Sequence, residues 1–171
     1  RLRVAILISG RGSNMRSLID SCLTKESRAE IVLVISNRPN AGGLSLASKS
    51  GIETVVIDHK GFADRKAFET ELGRTLKSAN VELICLAGFM RLLSSDFVNN
   101  WRNCVINIHP SLLPSFKGLN THKRAIDTGV RVTGCTVHFV RPQMDDGPII
   151  IQAVVPVHPN DTEEKLAERV L

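Results

Sequence analysis

Cys104–Pro114 reads CVINIHPSLLP, and the rest of the chain is taken from its pattern. Val105, Ile106 and Ile108 are apolar and β-branched, so Cys104–Ile108 reads as a buried strand. Asn107 and His109 stand two positions apart and therefore share one face. Pro110 has no N–H for a ladder bond and ends the strand. Unpaired polar groups are costly in a buried strand. An amide beside an imidazole there is either a pair of capped polar residues or a piece of chemistry. A neutral imidazole moves protons near pH 7, and a fixed amide donates to a developing oxyanion. Sites in α/β sheets gather at the carboxyl ends of strands, which favours chemistry.

Working outward, upstream segments alternate between strand and helix patterns. Arg3–Ile8, Glu30–Ser36, Thr54–Ile57 and Val81–Ala87 read as strands. Helices are expected over Asn14–Cys22, from the end of the loop Asn37–Ala41 to about Ser50 with Gly51 as a left-handed stop, over Asp64–Ala79, and around Ser95–Trp101. In Asp64–Ala79 the apolar positions Ala67, Phe68, Leu72 and Leu76 keep helical spacing. Downstream come a helix over His122–Thr128, strands Gly134–Val140 and Pro148–Val155, and a helix from Thr162. This alternation predicts an α/β domain with a doubly wound, mostly parallel sheet. Too little chain separates the last two strands for a helical crossover, so the C-terminal portion should be antiparallel.

The 171 residues suffice for one domain with a real core. With 43% hydrophobic and 23% charged residues, the composition is that of an ordinary globular protein. The net charge is +5, but the 22 Lys and Arg are scattered and aromatics make up only 4%. That excludes a stacking platform for nucleic acid. A small anionic substrate fits the excess as well as chance does. No apolar run reaches the ~20 residues of a membrane helix. Cys22, Cys85, Cys104 and Cys135 show no CxxC spacing, and three lie in apolar strand-like runs. They read as reduced thiols, pointing to the cytoplasm. The absent initiator Met and a C-terminus inside a helical pattern at Leu171 read as a truncated domain.

Ser9-Gly10-Arg11-Gly12-Ser13-Asn14 follows a strand and opens a helix, as a phosphate-cradling loop would. Met15 stands where a dinucleotide fingerprint has a third Gly or Ala, and Ser36-Asn37 offers no ribose acid. A single phosphate is a better fit than NAD, and a plain tight turn stays open. Asp145-Asp146-Gly147-Pro148 is either a solvated turn or brings one carboxylate to His109, to orient the ring and stabilise charge on it. His138 is either a satisfied core residue or support behind Asp145. His122 reads as surface or loop-anchoring, His59 and His158 as solvent-facing. No HxH or HxxxH spacing suggests a metal.

RVAILISGRGSN, VISNRPNAGGL, LAGFMRLL, NIHPSLLPSFKG, GCTVHFV and DDGPIIIQ, in this order along the chain, resemble the phosphoribosylglycinamide formyltransferases, folate-dependent enzymes of purine synthesis. HPSLLP is more similar to this family than to the formyltetrahydrofolate hydrolases or methionyl-tRNA formyltransferases. The resemblance implies a Rossmann-like formyltransferase fold and transfer of a formyl group from 10-formyltetrahydrofolate to the amine of glycinamide ribonucleotide. It also implies catalytic roles for Asn107, His109 and Asp145, and phosphate contacts from Gly12, Ser13 and Asn14. A folate pocket would be walled by Met90, Arg91, Leu92, Leu93, Arg141, Pro142, Gln143 and Met144, much of it through backbone groups, with Arg65 near the folate's glutamate tail. No metal, nucleic acid or membrane is implied. The chain could be one domain of a longer purine-pathway polypeptide. A 10-formyltetrahydrofolate hydrolase and a non-catalytic nucleotide-binding module stand as rivals.

Overall fold

The computed structural model describes all of residues 1–171. Its contacts divide the chain into two compact units, Arg1–Val105 and Ile106–Leu171.

The first unit is a layered α/β arrangement. Its strands are β1 (Leu2–Ile8), β2 (Ala29–Ser36), β3 (Glu53–Val56) and β4 (Leu83–Leu86), in the spatial order β3-β2-β1-β4. All of these pairings are parallel. β1 is central, and Val4–Ile8 are buried without interruption. An unbroken apolar run is the signature of a strand covered on both faces. Four helices connect the strands or follow the last: α1 (Ser13–Cys22), α2 (Gly42–Lys49), α3 (Arg65–Ser78) and α4 (Ser95–Asn100).

Helix boundaries follow local chemistry. Asp64 caps α3 by accepting from the Ala67 amide. α2 ends at Gly51 (φ 75°), with the Gly51 and Ile52 amides donating to the Ser48 and Ala47 carbonyls, the glycine stop read from sequence. α3 ends in the same way on Asn80 (φ 51°), and the Val81 amide turns back to the Leu76 carbonyl. That bond draws Val81 out of β4, which is shorter than the 81–87 expected. The inward face of α3 also differs from expectation: Phe68, Glu69, Leu72 and Leu76 are buried, while Ala67 faces solvent.

The second unit holds β5 (Val105–His109, whose first residue belongs to the first unit), α5 (Thr121–Thr128), β6 (Val132–Phe139), β7 (Ile149–Pro156) and α6 (Glu163–Val170). β6 and β7 are antiparallel, as expected. β5 also runs antiparallel to β6, which the sequence reading did not anticipate. α5 and α6 share a small core of Ala125, Val157 and Leu166, lined by Phe116, Ile126 and Val130.

Two features of this unit carry tests. A Cβ on Gly134 would land on the Ala153 carbonyl oxygen of the neighbouring strand. Gly134→Ala should therefore cost about 1–3 kcal/mol of stability, the usual range for overpacking, read as a lower urea midpoint. Arg169 grips Asp161 with two hydrogen bonds of 2.6 and 2.8 Å, and the His158 amide adds a third at 2.7 Å. The guanidinium holds this carboxyl well below the usual carboxylate range. Because the folded-state pKa is depressed, the stabilisation is full above the unfolded value of about 4 and fades as pH falls below it. The stability gap between the natural chain and Asp161→Asn should be widest near neutrality and shrink between pH 4 and pH 2.

Candidate active site

β5 carries Asn107 and His109 on one face, and the antiparallel register sets Asn107 opposite His138 and His109 opposite Thr136. His109 is buried, at 5% exposure. Its Nε2–H donates to the Phe116 carbonyl at 2.9 Å, and its Nδ1 lies 3.5 Å from Asp145 Oδ2. Acceptors thus face both ring nitrogens. The same Oδ2 accepts the Gly118 amide at 2.8 Å.

Of the adjacent acids, only Asp145 turns inward. It adopts a positive φ of 51°, accessible to Asp, and its side chain is 11% exposed. Asp146 points outward to Lys117 Nζ at 2.5 Å, and that ammonium keeps its carboxyl below the ordinary carboxylate range. Gly147 permits the bend, since a Cβ there would strike the Phe139 carbonyl.

His138 completes the cluster. Its Nδ1 faces the Phe139 carbonyl at 3.0 Å and must carry the hydrogen when the ring is neutral. Burial lowers its pKa, against the opposing pull of that bond and of Asp145, so the ring is neutral at pH 7. Nε2 is then an acceptor, and the Asn107 atom 3.3 Å away must be the donating Nδ2. Its second N–H is left for another partner. His138 Nε2 also sits 4.0 Å from Asp145 Oδ1. The residue therefore stands behind both Asn107 and Asp145. The strand pairing that makes this contact is the one missed from sequence. The loop after β5 is tied down as well. Thr136 Oγ1 donates to the Ser111 carbonyl at 2.7 Å and accepts the Leu113 amide at 3.0 Å, while Gln152 Nε2 donates to the Leu113 carbonyl at 3.0 Å.

This arrangement offers an amide donor, an imidazole and a carboxylate in contact, a set suited to moving one proton while stabilising an oxyanion. Residues 2–171 match the family described as formyl transferase. The chain belongs to that family. It is 55% identical over 170 residues to the trifunctional purine biosynthetic protein adenosine-3 of Gallus gallus, covering 99% of this chain and 17% of that protein. It is 40% identical over 169 residues to the phosphoribosylglycinamide formyltransferase of Escherichia coli, covering 99% and 80%. The crystal structure of phosphoribosylglycinamide formyltransferase from Brucella melitensis superposes with a TM-score of 0.96 at 49% identity, covering 99% of this chain and 88% of that one. The chain thus spans less than a fifth of the trifunctional relatives and most of the bacterial ones.

The remaining residues that the formyltransferase resemblance singled out are placed as follows. Gly12 is buried with φ 77°, and a Cβ there would come within 2.9 Å of Met15 Cε and 3.0 Å of Gly43 Cα. Ser13 and Asn14 form the first turn of α1, which no side chain caps. Arg65 opens α3 and is exposed. Met90, Arg91, Leu92 and Leu93 lie on the connection from β4 to α4, with Met90 and Leu92 exposed. Arg141 donates to its neighbour's carbonyl at 2.9 Å and lies over the Phe139 ring, while Pro142, Gln143 and Met144 are exposed.

Two histidines depart from expectation. His59 is not solvent-facing: its Nδ1 lies 3.0 Å from the Asn37 carbonyl on a largely covered side chain. The β2 end and the turn after β3 meet there. His122 is half-buried, its Nδ1 is enclosed without a hydrogen-bond partner, and burial lowers its pKa. His158 is exposed, as expected. The four cysteines form no disulfide, and burial pushes the Cys85 thiol up to about 12. No helix is long and apolar enough to cross a membrane.

Proposed function

We propose that the protein transfers a formyl group from 10-formyltetrahydrofolate to the primary amine of glycinamide ribonucleotide, as one formyltransferase domain spanning residues 1–171 of a longer, cytoplasmic purine-pathway polypeptide. The observation that carries this reading is the pairing of His109 with Asp145, joined to Asn107 through His138, in a chain 40% identical to a phosphoribosylglycinamide formyltransferase along nearly its whole length. The amine nitrogen attacks the formyl carbon, and the carbonyl pair moves onto oxygen. The amine then loses a proton as the bond from carbon to N10 breaks, and N10 gains one on leaving as tetrahydrofolate.

Each residue has one task in this scheme. Asn107 donates its free Nδ2–H to the oxyanion, its other N–H being engaged by His138. One such donor is worth about 3 kcal/mol. His109 relays the proton, with Asp145 beside its Nδ1 balancing the charge on the ring. Gly12, Ser13 and Asn14 bind the ribonucleotide phosphate at the start of α1. Met90–Leu93 and Arg141–Met144 take the folate ring through exposed apolar side chains and backbone polar groups, and Arg65 takes the carboxylates of its tail.

The test is formyl transfer by the full-length protein, with glycinamide ribonucleotide present or absent. Product should form only with the amine. Equal loss of formyl group without it would identify a hydrolase instead, and no turnover in either case would leave only a binding module.

A further inference from the structure

The connection between β4 and α4 combines outward apolar side chains with a backbone gripped from below. Met90 and Leu92 are 61% and 66% exposed. The Ser9 amide donates to the Gly88 carbonyl at 3.1 Å, and Ser9 Oγ accepts the Met90 amide at 2.8 Å. The Ser9 hydroxyl in turn donates to Asn37 Oδ1 at 2.5 Å. Ser9 and Asn37 are 3% and 1% exposed. At the far end Glu69 is buried at 8% exposure, and its carboxylate accepts the Ser94 amide at 2.6 Å and also the Ser94 hydroxyl. Arg91 closes over the ring of Phe68, the residue preceding Glu69, at 6.0 Å.

A plain helix cap does not explain this carboxylate. Ser94 Oγ already accepts the Phe97 amide and caps α4 without help. Burying a carboxylate costs several kcal/mol unless it is fully hydrogen-bonded, and every hydrogen bond seen at Glu69 goes to Ser94. Its effect is to fix the exit of the loop, as Ser9 and Asn37 fix its entry. Glu69 also stands one turn beyond Arg65 on α3, so a single helix supports the ring-binding loop and the tail-binding cation. A loop ordered before its ligand arrives does not lose that freedom on binding.

We propose that Ser9, Asn37 and Glu69 are positioning residues that hold residues 88–94 in the shape that receives the folate ring. The inference rests on the folate reading of Met90–Leu93 given above. It is tested on the full-length protein by steady-state kinetics for both substrates, by calorimetric titration with tetrahydrofolate, and by thermal unfolding. Ser9→Ala and the size-preserving Glu69→Gln should each raise the folate KM and weaken tetrahydrofolate binding by roughly ten-fold, the scale of a lost hydrogen bond to a charged or buried group. The KM for glycinamide ribonucleotide and kcat should move less than about two-fold. If Glu69→Gln does not fold, Ser9→Ala and Asn37→Ala carry the same test from the other end of the loop. Variants that bind tetrahydrofolate as the natural chain does, or that lose kcat and both KM values in parallel with folded protein, would overturn the inference alone. A natural chain that binds no tetrahydrofolate would overturn it together with the folate reading.

Discussion

His109→Ala should lower kcat for formyl transfer by roughly 10²- to 10⁴-fold, the usual contribution of a positioned acid or base, with the fold intact. The ring is buried and fills the space between the Phe116 carbonyl and Asp145, so its removal also strips one partner from each, leaving the Phe116 carbonyl to the Ser111 hydroxyl and Asp145 to the Gly118 amide. Some stability is lost with it, of order 1–3 kcal/mol for buried groups that lose a hydrogen bond. The two effects separate experimentally. Circular dichroism and a urea titration report the folded fraction, and kcat is then taken per folded molecule. Tetrahydrofolate affinity should change little, because the folate residues proposed above lie elsewhere in sequence. His109→Gln sharpens the test: its amide can still donate to the Phe116 carbonyl, so the packing is largely restored while the proton relay is not. Turnover near the natural rate in either variant would refute His109 as the relay and return the residue to the satisfied-polar reading that its sequence context left open.

The parts of the molecule legible in sequence are those where one local pattern has one physical solution. Val4–Ile8 is apolar at every position, and only a strand covered on both faces buries all five. Gly51 ends α2 as read, because glycine takes the left-handed turn without penalty. Asn107 and His109 announced themselves as polar groups in a buried strand. The opaque parts depend on a partner far along the chain. Nothing in Asp145-Asp146 says which acid turns inward; the Lys117 ammonium and the Gly118 amide, some thirty residues earlier, decide it. His138 became readable only with the antiparallel register that sets it opposite Asn107. Glu69 sits in a helical pattern where a charge reads as solvent-facing, and its partner Ser94 is 25 positions away. His59 was assigned to solvent for the same reason, since Asn37 is 22 positions away.

Asp145→Asn tests the coupling on which the proposed mechanism rests. The substitution keeps size and leaves an Oδ1 that can still accept the Gly118 amide, so the loop should close as before. What changes is the charge facing His109 Nδ1: the oxygen 3.5 Å away, the one that accepts the Gly118 amide, now belongs to a neutral amide. When the attacking amine gives up its proton, the cation forming on the ring loses the anion that balanced it. His138 loses the same neighbour, 4.0 Å from its Nε2, which leaves burial as the main influence on a ring already neutral at pH 7. Its hydrogen bond to Asn107 should therefore survive, and with it the oxyanion donor. A loss confined to the proton relay is expected: kcat down by about 10²- to 10³-fold, with the KM values for both substrates within a few-fold of the natural chain. Thermal stability should fall only slightly, because the substituted side chain keeps its size and its backbone partner. If kcat were unchanged, the contact between Asp145 and His109 would be structural, and proton transfer would have to run through water alone. If both KM values rose while kcat held, the acid would be a binding group instead.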